Sequence, residues 1–132
     1  MPLLEAEKMT DHSKKVRMVR EVLDQVATKW TLMVLDVLEG AGDVRQSKLL
    51  KAIPGISQKM LTQTLRQLER DGLVTRKVKP TIPPQVSYKL TPQGESLSYA
   101  TCAIWEWVEK NIKYVEDSRA GFDSRKKTPA LP

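Results

Sequence analysis

The clearest pattern of apolar and polar positions lies between Ile53 and Gly72. Its leucines, Leu61, Leu65 and Leu68, recur at spacings of four and three, which places them on one side of a helix. The pair Pro54–Gly55 is typical of a turn, and Ser57 is a residue type that caps helix N-termini. The pattern therefore predicts a tight turn and then an amphipathic helix that starts at about Gln58 and is stopped by Gly72.

The opposite side of this helix is polar, and its only charges are positive. Its members are Gln58, Lys59, Thr62, Gln63 and Arg66. Such side chains can donate hydrogen bonds to base edges or to phosphates, which makes this helix a candidate DNA-contacting element. A solvated surface is the commoner explanation for an isolated amphipathic helix, so the neighbouring elements decide between the two.

Three helices are predicted before the turn. Apolar spacings of three and four predict a first helix from Val16 to about Ala27, and an almost unbroken apolar run predicts a buried second helix from Lys29 that ends at Gly40. A short helix, Ser47–Ile53, then precedes the turn at the distance that a helix-turn-helix requires. We expect residues 1–15 to form a flexible arm, or an extension that orders only against a partner, and residues 41–44 to form a linker.

After Gly72 the apolar period changes from helical to alternating. Residues 74–79 and 86–90 alternate apolar and polar side chains, which predicts a two-stranded hairpin. The loop between them, residues 80–85, is rich in proline, which cannot donate a backbone hydrogen bond to a neighbouring strand. A stiff basic hairpin directly after a DNA-contacting helix is typical of a wing, and an ordinary hairpin is the alternative.

A long last helix is predicted from Pro92 to about Asp117, with Thr91 as its N-cap. It would be roughly 39 Å long. The mostly apolar side of this helix consists of residues at spacings of three and four: Leu97, Thr101, Ile104, Val108, Ile112 and Val115. One small core cannot cover this length, so we expect a second copy of the chain to cover its distal half, with folding back onto its own core as the alternative. We expect residues 118–132 to be a basic tail.

Size and charge agree with a DNA-binding domain. At 132 residues the chain has the size of one domain, assigned here to residues 16–117, and its net charge is +6. Between Ser57 and Thr91 there are seven Lys or Arg against two acidic residues. A basic concentration of this kind suits a phosphate backbone, although acidic proteins and anionic membranes would accept it too.

Composition argues against several other classes of protein, namely enzymes, metal-binding proteins, membrane proteins and secreted proteins. One His and one Cys, without a glycine-rich phosphate loop, supply no nucleophile–base pair or metal cluster, so we expect no enzyme, metal or cofactor. We expect His12 to be solvated.

No apolar run approaches the roughly 20 residues that cross a bilayer, and there is no signal-peptide pattern. A single Cys fits a reducing cytoplasm. We interpret Cys102 as a packing residue, with redox sensing as the alternative.

Several short motifs closely resemble the HxlR family of bacterial transcriptional regulators. They are Lys29-Trp30-Thr31-Leu32, Arg45-Gln46-Ser47, Pro54-Gly55-Ile56-Ser57-Gln58-Lys59-Met60-Leu61-Thr62, Asp71-Gly72-Leu73-Val74, Pro83-Pro84, Tyr88-x-Leu90-Thr91 and Gly94. The resemblance spans about Val19 to Trp107. The unbroken PGISQKMLT run is its most specific part, since a bare turn and helix would identify no family.

The resemblance implies a mainly α winged helix-turn-helix with a small β-hairpin and a long C-terminal dimerisation helix. It further implies a cytoplasmic homodimer that binds a pseudo-palindromic operator in double-stranded DNA as a repressor or activator. Several members sense electrophiles through a cysteine just before the Lys-Trp-Thr motif, but residues 9–28 contain none here. Thr28, Gln46 and Gln85 also depart from the family's usual glycine, aromatic and basic residue.

These inferences define four sets of predicted site residues. The major-groove set is Ser57, Gln58, Lys59, Thr62, Gln63 and Arg66, and the wing set is Lys77, Lys79 and the tip from Thr81 to Gln85. Gln and Arg would contact bases, and Ser or Thr phosphates. The dimer set is Val19, Leu23, Ile104, Trp105, Val108, Ile112 and Val115. Tyr99, Trp105 and Trp107 are candidates for a cleft between the long helices that holds a small-molecule effector. The alternative function is a winged-helix protein-interaction module that does not bind duplex DNA.

Overall fold

The computed structural model describes residues 10–127, which form five helices and three strands. In chain order these are α1 (Thr10–Val26), α2 (Lys29–Leu38), β1 (Val44–Arg45), α3 (Gln46–Ala52), α4 (Gln58–Arg70), β2 (Val74–Lys79), β3 (Gln85–Leu90) and α5 (Pro92–Lys127). The chain divides after Ser98 into an N-terminal and a C-terminal unit. The predicted class, mainly α with a small hairpin after a helix-turn-helix, is confirmed.

The ends of α4 follow from two local interactions. At its start the Ser57 hydroxyl oxygen accepts a hydrogen bond from the Met60 N–H at 3.0 Å. After its last turn Gly72 adopts a φ of +73°, a conformation that costs a residue with a side chain free energy. The Leu73 N–H then donates to the Leu68 carbonyl at 2.9 Å and closes the turn. Both predicted end signals are therefore confirmed.

Thr28, where the HxlR pattern has a glycine, also caps a helix. Its hydroxyl oxygen accepts a hydrogen bond from the Thr31 N–H at 3.2 Å, and its hydroxyl donates to the Thr31 hydroxyl at 2.9 Å. This departure from the family pattern gives α2 an N-cap, a contribution of about 1 kcal/mol when such a residue is compared with alanine.

The core of the N-terminal unit joins α2, α4 and the sheet. Its most buried side chains include Val34, Leu35 and Leu38 from α2, Leu61, Leu65 and Leu68 from α4, and Val44, Val74 and Tyr88 from the strands. Each of the three α4 leucines is at most 2% exposed. Burial of one such side chain contributes about 2 kcal/mol. The leucines therefore fix the rotation of α4 and leave its polar side outward.

The sheet has three antiparallel strands in the order β1-β3-β2. Strands β2 and β3 pair from Val74 with Leu90 to Lys79 with Gln85, which confirms the hairpin. Strand β1 adds Val44 opposite Tyr88, although residues 41–44 were expected to be a linker. A strand of two residues is too short to show alternation, and its partner β3 is distant in sequence, so no local pattern indicates it.

Both terminal boundaries were predicted wrongly. Helix α1 begins at Thr10, so residues 10–15 are helical and do not belong to an arm. Helix α5 continues to Lys127, so residues 118–127 are not a separate tail. Both extensions are mostly polar, so they lack the apolar periodicity that was the signal used for the boundaries. Residues 1–9 and 128–132 lie outside the described chain.

The C-terminal unit is helical from Tyr99 to Lys127, and many of its large apolar side chains are exposed. Ile104, Trp105, Trp107 and Ile112 are each between 47% and 60% exposed. Lys113 and Asp117, one turn apart on this helix, form an exposed ion pair at 3.6 Å. Within residues 10–127 no helix has the length and apolarity that membrane crossing requires.

Candidate nucleic-acid interface

The polar side of α4 faces away from the core. Gln58, Lys59, Gln63 and Arg66 are exposed and Thr62 is half-buried, whereas Leu61 and Leu65 have no exposed surface. Ser57, which caps the helix, is exposed as well. The structure therefore places all six residues of the predicted major-groove set along one accessible ridge, with no acidic residue between Gln58 and Arg66.

Thr62 is held by a residue that sequence reasoning did not include in the site. The Gln46 amide nitrogen donates a hydrogen bond to the Thr62 hydroxyl oxygen at 3.0 Å. This bond joins the first residue of α3 to the exposed ridge of α4. The Thr62 hydroxyl hydrogen stays available, so Thr62 can still donate to a phosphate oxygen.

Alternation along β2 sends its basic residues to two different sides. Arg76 shares the side of Val74, which packs in the core with α4, while Lys77 and Lys79 point to the other side. On that other side the strand register places Lys77, Ser87 and Arg45 in one row across the three strands. The two predicted wing lysines therefore belong to a basic outer face of the sheet that also includes Arg45.

The wing tip borders a groove of about 490 Å³, called here the wing groove. Its lining consists of residues 81–86 together with Arg45, Gln46, Ser47, Leu50 and Gln58. The Thr81 hydroxyl donates to the Pro83 carbonyl at 2.8 Å, which orders the tip. Thr81 and Gln85, predicted from the hairpin, thus lie near Gln58 at the start of α4.

A second depression, called here the arginine concavity, lies where the C-terminal half of α4 meets β2. It measures about 410 Å³ and is lined by Arg66, Glu69, Arg70 and Arg76. Only Arg66 was a predicted site residue. Arg70 could have been predicted from the sequence, because it follows Arg66 by four residues on the same helix. Arg76 could not, because its position beside them depends on how β2 packs against α4.

The predicted dimer residues are available for a partner in both units. On α1, Val19 is 42% and Leu23 is 54% exposed, whereas Val16 and Val26 are buried. On α5, Ile104, Trp105, Val108 and Ile112 are exposed and Val115 is half-buried. Each helix thus presents an apolar surface.

The predicted effector residues do not form one cluster. Trp105 and Trp107 are two positions apart on α5, so their directions differ by about 160° around the helix, whereas Tyr99 lies about 80° from Trp107. One α5 helix therefore does not bring the three to one cleft. Cys102 is half-buried on the same helix. The described residues contain no group of three or more His, Cys, Asp or Glu that could hold a metal ion.

Comparison with known proteins identifies the family. The profile of the HxlR-like helix-turn-helix family matches residues 25–116. This chain belongs to the HxlR family. The family suggested by the sequence motifs is thereby confirmed, and the chain's relatives are named transcriptional regulators.

Individual relatives cover most of this HxlR-family chain. It is 42% identical over 104 residues to the HTH-type transcriptional regulator YtfH of Escherichia coli (strain K12), across 76% of this chain and 82% of YtfH. The solved structure of the transcriptional regulator ytfH from Salmonella typhimurium is similar with a TM-score of 0.72 at 40% identity, across 77% of this chain and 90% of that one. The redox regulator HypR in its reduced form is similar with a TM-score of 0.67 at 35% identity, across 75% and 97%.

Proposed function

We propose that this HxlR-family protein regulates transcription in the cytoplasm by binding a pseudo-palindromic operator as a homodimer. The observation that carries the proposal is the exposed polar ridge of α4, whose acid-free part runs from Gln58 to Arg66 over fully buried leucines. In helix-turn-helix proteins the N-terminal residues of the second helix contact base edges in the major groove. The ridge has the residue types and the exposure for that contact.

Within the ridge, Gln58 and Gln63 are the residues proposed to select the sequence. A glutamine amide presents a donor and an acceptor that match the N6 and N7 atoms of adenine, and each good bidentate pair provides about 1–3 kcal/mol of discrimination. Lys59 lies beside them and contributes a donor to guanine or to phosphate. Ser57 and Thr62 are proposed to donate to phosphates at the edge of the groove.

The wing is proposed to contact DNA beside the major-groove site. Lys77 and Arg45 share a row on the basic outer face of the sheet, and the tip from Thr81 to Gln85 borders the first residue of α4. These positions suit phosphate contacts and an entry of the tip into the neighbouring minor groove. The contribution of these wing contacts to DNA affinity should be nearly independent of the DNA sequence.

Dimerisation is proposed to cover the exposed apolar side chains of α5, with Val19 and Leu23 of α1 as further contacts. A twofold dimer explains why a single chain leaves Ile104 and Ile112 about half exposed. It also predicts two half-sites about one helical turn of DNA apart, or an integral number of turns.

The dimer proposal is tested by placing a charge on each side of α5. Ile112→Glu should shift the protein to monomer in sedimentation equilibrium, because a buried unpaired carboxylate is costly. Ala103→Glu is the matched control, since Ala103 is exposed and lies about 180° from Ile112 around the helix. If both variants remain dimeric, α5 is not the interface.

DNA binding is tested by selecting bound fragments from genomic DNA and measuring their affinity by fluorescence anisotropy. Gln63→Ala should lose about 1–3 kcal/mol on the selected operator and relax its preference at one position in each half-site. Binding should also fall steeply as salt increases, because phosphate contacts release counterions. A wild-type protein that binds no duplex near physiological salt would instead be a protein-interaction module.

A further inference from the structure

The arginine concavity carries uncompensated positive charge. Arg66, Arg70 and Arg76 contribute three positive charges to it, and Glu69 contributes one negative charge. Within residues 10–127 none of these three arginine side chains forms an ion pair or a hydrogen bond. Guanidinium groups bind phosphate oxygens through paired, charge-assisted hydrogen bonds. A phosphate from outside the chain is therefore the ligand that these side chains suit.

The position of the concavity along α4 favours a backbone phosphate over a base. Arg70 lies about 18 Å along the helix axis from Gln58, at about 1.5 Å per residue. The major groove is about 12 Å wide. If the first turns of α4 contact base edges, Arg70 is beyond the edge of the groove, where the sugar-phosphate strand runs.

Arg76 approaches the same place from a different element. It extends from β2 on the side that packs against α4. An α-helix with its side chains is about 10–12 Å across and fills the major groove, so a strand beside α4 cannot enter that groove with it. Arg76 can reach the strand of DNA that borders the groove but not the bases at its floor.

We propose that Arg66, Arg70 and Arg76 together hold one backbone phosphate of the bound duplex, next to the bases contacted by the first turns of α4. This inference rests on the proposed function and deepens it. It also replaces the sequence-based expectation that Arg66 contacts a base. Glu69, which also lines the concavity, lowers its formal charge from +3 to +2.

The test measures the salt dependence of binding to two duplexes of 30 base pairs, one selected from genomic DNA and one of mixed sequence. Each phosphate contact contributes about 0.9 to the slope of log affinity against log salt concentration. Arg70→Gln and Arg76→Gln should each lower that slope by up to about 2 per dimer, equally on both duplexes. Arg17→Gln on α1 is the matched control, since Arg17 is exposed and lies outside the ridge, wing and concavity.

Arg66→Gln separates a phosphate contact from a base contact. If Arg66 holds phosphate, the variant binds more weakly while the ratio of its affinities for the two duplexes stays at the wild-type value. If Arg66 reads a base, preference relaxes at one operator position, and the inference is overturned for this residue. Unchanged far-ultraviolet circular dichroism and melting temperature are required of every variant, which is expected because all four arginines are exposed.

Other outcomes distinguish the inference from the proposed function. If the wild type binds both duplexes and the Arg70 and Arg76 variants keep its slope, the phosphate site is rejected while DNA binding stands. If the wild type binds neither duplex, both proposals fall. Calorimetric titration with inorganic phosphate at constant ionic strength addresses a free phosphorylated ligand. Saturable binding that Arg70→Gln abolishes, with an unchanged slope on DNA, would assign the concavity to such a ligand and reject the proposal.

Discussion

Gly94 joins α5 to the start of the hairpin without room for a side chain, and Gly94→Ala tests this packing. A Cβ at position 94 would lie 2.0 Å from the Leu73 carbonyl oxygen and 3.2 Å from the Leu90 Cδ2 atom. Contacts of a Cβ below 3.0 Å are essentially never found, so the Leu73 carbonyl would have to move by about 1 Å (3.0 minus 2.0). That carbonyl accepts the Thr91 N–H at 3.1 Å, so the same movement would weaken this hydrogen bond.

The expected cost is about 2 kcal/mol. Overpacking of a well-packed site costs about 1–3 kcal/mol. Loss of a net hydrogen bond adds about 1 kcal/mol. The better helix propensity of alanine offsets up to about 1 kcal/mol of this loss in unfolding free energy. For an N-terminal unit of this size, a loss of 2 kcal/mol corresponds to a fall of about 10 °C in melting temperature.

Urea denaturation followed by circular dichroism measures this cost. Protein concentration must be equal for all variants, because association contributes to the stability of a dimer. Gly121→Ala is the control within the same helix, since its Cβ would meet only Arg125 Nη1, at 3.8 Å. That change should stabilise the protein by up to about 1 kcal/mol. If Gly94→Ala is as stable as the wild type, with the same dependence on urea, the packing argument fails.

Three further experiments test the α4 cap, the Gln46–Thr62 hydrogen bond and the role of Cys102. Ser57→Ala should cost about 1 kcal/mol of unfolding free energy and Ser57→Gly only a few tenths, because Ser57 caps α4 through the Met60 N–H; equal losses in urea denaturation would argue against the cap. Gln46→Ala and Thr62→Val should each cost about 1 kcal/mol and should be non-additive in a double-mutant cycle, since they share one hydrogen bond; additive losses would contradict the pairing. Cys102→Ser should bind DNA like the wild type before and after diamide treatment, because Cys102 is interpreted as a packing residue; loss of binding in the treated wild type alone would show redox sensing.

Local signals made the exposed ridge readable from the sequence. The leucine spacing, the Ser57 hydroxyl and the glycine at position 72 each act within one or two helical turns, and the structure has α4, its cap and its end where these signals place them. Alternation similarly indicated β2 and β3 to within one residue. The long run PGISQKMLT supported the family because so specific a string is not expected of an arbitrary amphipathic helix.

The same kind of reasoning failed where the signal was not local. Strand β1 is defined by its pairing with β3, and nothing in residues 41–45 alone predicts that partner. Helix ends at Thr10 and Lys127 were missed because the criterion was apolar periodicity, which these mostly polar extensions do not have. The grouping of Tyr99, Trp105 and Trp107 stays a prediction, because a cleft between two long helices depends on a second copy of α5.

The sequence by itself determined which side of α4 is apolar, because side-chain direction along a helix repeats every 3.6 residues whatever the rest of the chain does. Only the tertiary structure decided what borders that helix. Packing of β2 against α4 brings Arg76 to Arg66 and Arg70, and placement of α3 brings Gln46 to Thr62. These contacts join residues from different elements, so they depend on how buried side chains fit together and not on any spacing along the chain.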